Sequence, residues 1–108
     1  MLEVARRHAV SRAASSAMLE ILRREQNDDI VGRHLVREGR GRGRLTIASK
    51  SGSLDGVRHD VAYVDGPCAR YVVALMSHGC SDTTYSVDNE ATLCLARVAQ
   101  AVHHHVSR

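Results

Sequence analysis

Leu45-Thr-Ile-Ala-Ser-Lys50-Ser-Gly-Ser-Leu-Asp55-Gly-Val-Arg-His-Asp60-Val-Ala-Tyr-Val-Asp65-Gly-Pro-Cys-Ala-Arg70-Tyr-Val-Val-Ala-Leu75-Met-Ser-His78 is the stretch that decides the fold. Three runs, 45–54, 57–64 and 69–78, are rich in Val, Ile, Thr, Ala and Tyr, residues that suit a pleated, half-buried surface. Asp55-Gly56 separates the first two and Asp65-Gly66-Pro67 the last two. An Asp-Gly pair between strand-like runs supplies the positive backbone angles of a tight hairpin, so the three runs predict an antiparallel meander over 45–80.

Outward from the meander the hydrophobic period changes to that of a helix. On the N-terminal side, Ser11 predicts an N-cap for a helix from about Arg12 to Gln26, with Ala14, Ala17, Met18, Ile21 and Leu22 as its apolar stripe. Leu2, Ala5 and Ala9 predict the end of a preceding helix that has no capping residue before it. Asn27-Asp28-Asp29 breaks the second helix, and a helical turn through Ile30, Val31 and Leu35 follows. On the C-terminal side, a polar loop over 79–86 leads into a helix over 87–106, with Val87, Ala91, Cys94, Leu95, Val98 and Val102 on one face. Asp88 and Glu90 are placed in its first turn and Arg97 with the histidines toward its end, the arrangement the helix dipole favours. The order of elements, helices over 1–36, an Arg/Gly loop over 37–44, three strands and a final helix, defines an α+β class.

At 108 residues the chain holds one small domain. Hydrophobic residues at 44% and charged residues at 25% exclude a disordered or collagen-like chain. With three tyrosines and neither Phe nor Trp, the core is left to Leu, Val, Ile, Ala and Met. A domain of this size buries only about 60–65% of the surface its unfolded chain exposes, so the core is thin. No apolar stretch follows the charged residues at the start, so nothing there reads as a signal peptide. The longest apolar run, Val72 to Met76, is far below the roughly 18 residues of a bilayer span. Cys68, Cys80 and Cys94 form no C-x-x-C pair, which speaks against a zinc site. Cys68 and Cys80 lie at opposite ends of one strand, a Cys80 to Cys94 bridge remains geometrically open, and three free thiols are the preferred reading.

The only lysine, Lys50, stands on the first predicted strand in Lys50-Ser51-Gly52-Ser53, and Gly56-Val57-Arg58-His59-Asp60 opens the second. This pattern resembles the K-T-G strand region of class A β-lactamases and related serine hydrolases of the penicillin-recognising type. The preceding helix, Ala17-Met-Leu-Glu-Ile-Leu-Arg-Arg-Glu-Gln26, the meander and the final helix are similar to the last third of that fold, so the resemblance covers nearly the whole chain. It implies an incomplete serine β-lactamase-like fold, hydrolysis of a β-lactam or amide through an acyl-serine, and no cofactor or metal. It also implies roles for individual residues. Lys50 attracts a substrate carboxylate and orders protons around a serine, and Ser51 donates to the same carboxylate. Gly52 permits close approach of the substrate, Ser53 supplies a backbone amide of the oxyanion hole, and Arg58 adds a second cation. The third strand, Ala69 to His78, is expected to pair with an N-terminal strand that these residues do not contain.

Departures from the pattern are equally plain. Ile47, not serine, stands three residues before the only lysine, so the S-x-x-K nucleophile is absent from these 108 residues. Ser81-Asp82-Thr83 follows the K-S-G triplet instead of preceding it, ends in Thr and reads as loop. Glu20 and Glu25 are placed within a helix and take no deacylating role. The expectation is a C-terminal piece of a serine hydrolase that does not turn over alone.

Two rival functions rest on other residues. The segment 33–44 carries Arg33, Arg37, Arg40, Arg42 and Arg44 against Glu38, a local charge of +4 in a chain of +3. R-G-R-G-R suits phosphate contacts with nucleic acid, but no aromatics are interleaved for base stacking, and fourteen of the fifteen basic residues are Arg throughout the chain. A solvated loop is therefore preferred to a nucleic-acid site, and a small interaction domain is the other alternative. His103-His104-His105 cannot converge on one metal, because consecutive helical residues point about 100° apart. His59 and His78 read as surface or hairpin residues, since no motif places a nucleophile beside them.

Overall fold

The meander folds as the turn signals require. In the computed structural model, which describes residues 1–25, 29–38 and 45–108, β1 spans Thr46–Leu54, β2 Val57–Asp65 and β3 Arg70–Ser77. They form one antiparallel sheet in the order β1-β2-β3, with Leu54 opposite Val57 across a two-residue turn. Gly56 makes that turn at φ +67, and a Cβ there would meet the Cys80 carbonyl oxygen at 3.0 Å, so both backbone angle and space select glycine. The Cys80 amide donates to the Gly56 carbonyl at 3.2 Å, tying the end of β3 back to the hairpin.

Helices cover the sheet. α1 is a single turn, Leu2–Ala5, with no side-chain cap, and α2 runs Arg12–Arg23. Ser11 caps α2 as expected, its hydroxyl accepting the Ala14 amide at 3.0 Å. α3 is Gly32–Glu38 and α4 is Glu90–Val106. α2 packs on β1, while α4 packs on β3, β2 and α3. Of the predicted Arg/Gly loop over 37–44, residues 37 and 38 belong instead to the end of α3, and 39–44 lie outside the described residues, as do Asn27 and Asp28 of the predicted break.

The core joins Ile30, Val31 and Leu35 of the α3 region to Ala62 and Val64 of β2, Leu75 of β3, and Leu95 and Ala99 of α4. β2 alternates along its whole length, with Arg58, Asp60, Ala62 and Val64 buried and their neighbours half-buried. Asp60 is 2% exposed and accepts the Val31 amide at 3.1 Å, so a buried carboxylate fixes the start of α3 on the sheet. Ala48 and Ser49 of β1 are both buried although consecutive strand residues face opposite ways, so β1 is covered on both sides at that point.

Three expectations about the helices need correction. α2 buries Ser15 and Leu19, whereas Ala17 and Ile21 of the predicted stripe are exposed. The Ser15 hydroxyl donates to the Ala9 carbonyl at 2.8 Å, so the polar side chain on the buried face is satisfied. α4 begins at Glu90, not 87, because the Asn89 side chain caps it and Arg33 draws Asp88 away to an ion pair at 2.6 Å. Its buried face is Ala91, Thr92, Leu95, Ala96 and Ala99, and Val87, Cys94 and Val98 are exposed. Small residues face the sheet there because they allow close approach of the helix to the strands. The three cysteines are free thiols.

Candidate active-site edge

Among the described residues β1 is an edge strand, so alternate backbone amides along its outer side meet no partner strand there. The Lys50-Ser51-Gly52-Ser53 stretch occupies this edge next to the hairpin. Directly paired residues of an antiparallel sheet share a face. Ser51 pairs with Asp60 and Ser53 with Arg58, so both hydroxyls lie on the face where β2 buries its residues. Lys50 pairs with Val61 and Gly52 with His59, which puts the lysine on the opposite face. The triplet thus presents Lys50 on one side of the sheet and Ser51 on the other, with the glycine open between them: a Cβ at Gly52 would meet nothing within 4 Å.

Lys50 is 68% exposed in its side chain. Its ammonium donates to the Ser51 carbonyl at 2.7 Å and stands 3.9 Å from a carboxylate oxygen of Glu25. Glu25 lies past the end of α2, not within the helix as its spacing implied, because α2 stops at Arg23. That early stop brings a carboxylate to the lysine, a contact that sequence spacing does not reveal. At this exposure the pair contributes no more than about 1 kcal/mol, and its effect is to orient the ammonium along the strand edge.

Arg58 differs from Lys50 in burial and in the number of its partners. It is 4% exposed, and its guanidinium donates at 2.7 Å to each of the Leu54 and Val57 carbonyls, and also to the Thr84 carbonyl. The Tyr85 ring lies over the guanidinium, 5.1 Å from carbon to centroid, and the Tyr85 hydroxyl donates to Asp55 at 2.8 Å. This hydrogen bond, foremost, holds the Tyr85 hydroxyl above its usual pKa.

The loop between β3 and α4 holds the hairpin from the other side. Asn89, 1% exposed, donates to the Asp82 and Thr84 carbonyls at 2.9 and 3.0 Å and accepts the Ala91 and Thr92 amides at 3.0 and 3.2 Å. Asp82 accepts the Thr84 hydroxyl at 2.6 Å, the Thr84 amide at 3.0 Å and the Glu90 amide at 3.0 Å. These bonds, the Thr84 hydroxyl first, keep the Asp82 carboxyl below the usual range. Ser81-Asp82-Thr83 is loop, as read, but the reading missed that Asp82 organises it. Asp82 stands seven residues before the Asn89 cap, further than a capping pattern reaches, so no local spacing rule marked it.

Of the sequence-predicted residues, the fold brings Ser51, Gly52 and Ser53 together with Arg58 around the hairpin and sets Lys50 across the sheet with Glu25. His59 lies on the Lys50 face with its Nδ1 buried and without a hydrogen-bond partner, and His78 is exposed beyond β3. His103 contacts the Tyr71 hydroxyl through Nδ1 at 2.9 Å, a role no spacing rule suggested. Among the described residues no group of three His, Cys, Asp or Glu side chains could hold a metal ion, and no helix is long and apolar enough to cross a membrane.

Three antiparallel strands with Lys-Ser-Gly beside a tight hairpin, and helices packed on the sheet, make an arrangement that solved structures resemble. The β-lactamase from Sphaerobacter thermophilus DSM 20745 is 26% identical with a TM-score of 0.76, over 97% of this chain and 36% of that one. PBP-A is 26% identical with a TM-score of 0.66, over 96% of this chain and 37% of that one. A PBP-A mutant, solved as an acyl-enzyme complex with penicillin-G, is 25% identical with a TM-score of 0.63, over 96% and 37% of the respective chains. The chain therefore spans little more than a third of these structures. No curated protein matches it. The model of the Beta-lactamase enzyme family matches residues 1–106, and the chain belongs to that family.

Proposed function

We propose that this chain supplies the substrate-carboxylate edge of a serine hydrolase that acts on β-lactam-like acyl substrates, and that these 108 residues do not turn substrate over alone. The observation that carries the reading is the Lys50-Ser51-Gly52-Ser53 stretch on an open strand edge, in a chain whose family match runs almost end to end. Because Lys50 and Ser51 leave the strand on opposite faces, they meet one substrate carboxylate where it lies against the open edge between them, the long, exposed lysine drawing it and the Ser51 hydroxyl donating to it. Gly52 leaves space for the acyl group against the backbone, and the Ser53 amide points a donor at the oxygen that becomes negative in the tetrahedral intermediate. No S-x-x-K occurs in the chain to supply the attacking hydroxyl.

The test has two arms on the purified chain. A chromogenic cephalosporin should not be hydrolysed above background, and mass spectrometry should find no acyl adduct on any serine. Benzylpenicillin should shift the backbone amide signals of Lys50 to Ser53, and Lys50→Ala should abolish the shift. Turnover or an adduct overturns the inactivity, and an unmoved strand overturns the assignment of the edge.

A further inference from the structure

Lys50 is the only lysine of the chain, and its ammonium is engaged before any ligand arrives. One N–H donates to the Ser51 carbonyl at 2.7 Å, and a carboxylate oxygen of Glu25 stands 3.9 Å from the same nitrogen. That distance is too long for a hydrogen bond, so Glu25 acts on Lys50 through charge, and two of the three ammonium donors stay open. The side chains of the pair are unequally placed: that of Glu25 is 22% exposed and that of Lys50 68%. The carboxylate is thus the settled partner, and the ammonium, on its long flexible stem, is the one that turns toward a ligand. Gly52 lies two residues along on the same face, and a Cβ there would meet nothing within 4 Å. A ligand carboxylate over Gly52 therefore displaces no side chain. What opposes it is the charge of Glu25, because two carboxylates then draw on one ammonium and repel each other.

We propose that Glu25 is a specificity-determining residue of this edge: an internal carboxylate that shares the Lys50 ammonium, so that a ligand is held only weakly by its own carboxylate and is retained by what its acyl part gains along Gly52 and Ser53. The proposal rests on the reading of the edge given above, and it adds a residue that acts through Lys50 without touching the reacting atoms. Small carboxylates, which have nothing to lay along the strand, are disfavoured, and a full acyl ligand is not. Glu25 reaches the lysine from just past the end of α2, which packs on β1, so the helix that covers the strand also sets the charge beside it.

The experiment uses the whole chain, labelled with nitrogen-15 and with carbon-13 lysine, which gives a single lysine side-chain spectrum because Lys50 has no other lysine beside it in the sequence. Benzylpenicillin is titrated at constant pH and ionic strength, and its Kd is read from the Lys50 ε-methylene signal and from the Lys50 to Ser53 amides. Glu25→Gln and Glu25→Ala should each lower Kd by roughly two- to fivefold, the range an exposed ion pair supports. Glu20→Gln takes the same charge from α2, where it pairs with Arg24 at 3.4 Å, and should leave Kd unchanged. Benzylpenicillin methyl ester, which has no carboxylate, should respond alike in the parent and in Glu25→Gln. Equal or weaker benzylpenicillin binding in the Glu25 variants overturns the proposal, and so does the same gain in Glu20→Gln or with the ester. The two readings fail differently. No response of Lys50 or of the strand amides in any of the proteins overturns the edge assignment and this proposal with it, whereas a response that the Glu25 variants do not strengthen overturns this proposal alone.

Discussion

Replacing Asn89 with alanine removes four hydrogen bonds from a site that is 1% exposed. Two of them are the cap of α4, and loss of an Asn cap costs about 1 kcal/mol. The other two are donations to carbonyls. The Thr84 oxygen keeps the Arg58 guanidinium, but the Asp82 oxygen has no second donor among the described contacts. At about 0.5–1.5 kcal/mol for each neutral hydrogen bond lost, these add roughly 1–3 kcal/mol, for a total of about 2–4 kcal/mol. In a domain of this length that lowers Tm by roughly 9–18 °C. Asn89→Ser retains a cap acceptor and loses both donations, so it should show about half the effect. Urea unfolding followed by circular dichroism at neutral pH checks both, with the m-value unchanged. A loss below about 1 kcal/mol in the alanine variant, or a serine variant as stable as the parent, would refute the claim that this side chain joins α4 to the loop over Arg58.

Leu35→Ala, at a side chain with 0% exposure in the centre of the core, should cost about 2–5 kcal/mol in urea unfolding, enough to abolish a cooperative transition in so small a domain. Gly56→Ala forces φ +67 on a residue with a Cβ and pushes it to 3.0 Å from a backbone oxygen, so thermal melting should show a loss above about 1 kcal/mol; a loss near zero would mean the hairpin is not held against Cys80. Burial raises the Tyr71 hydroxyl from 10.0 to about 12, so the folded state prefers it protonated. The stability this contributes is present below pH 10 and is lost as pH rises through about 12. Tyr71→Phe should therefore flatten the decline of the urea midpoint over that window, and parallel pH profiles for the two proteins would contradict it.

The strands were legible because period-two patterning and turn chemistry are local. Asp55-Gly56 and Asp65-Gly66-Pro67 mark both reversals, and the observed strands lie within a residue or so of the expected ones. Ser11 was legible as a cap for the same reason, since a cap is a contact three residues long. Helix faces were not. Hydropathy selected Ile21 and Val98, both exposed, over Ser15 and Ala96, both buried, because the choice depends on what the helix meets and not on its own periodicity. The site divides in the same way. The Lys50-Ser51-Gly52-Ser53 pattern could be picked out by eye, but not that Lys50 and Ser51 face opposite sides of the sheet with Glu25 beside the lysine.

By itself the sequence determined the α+β order, the hairpins, the family resemblance and that no S-x-x-K pattern occurs in these residues, all of which depend on which residues are neighbours along the chain. Only the tertiary structure decided the state of Arg58. A strand arginine is read from sequence as an available cation, and its burial comes from Thr84 and Tyr85, 26 and 27 positions further on. Whether a charge is free or occupied is set by groups that the fold brings from far along the chain, because hydrogen bonds and ring stacking act over a few ångströms of space whatever the separation in sequence.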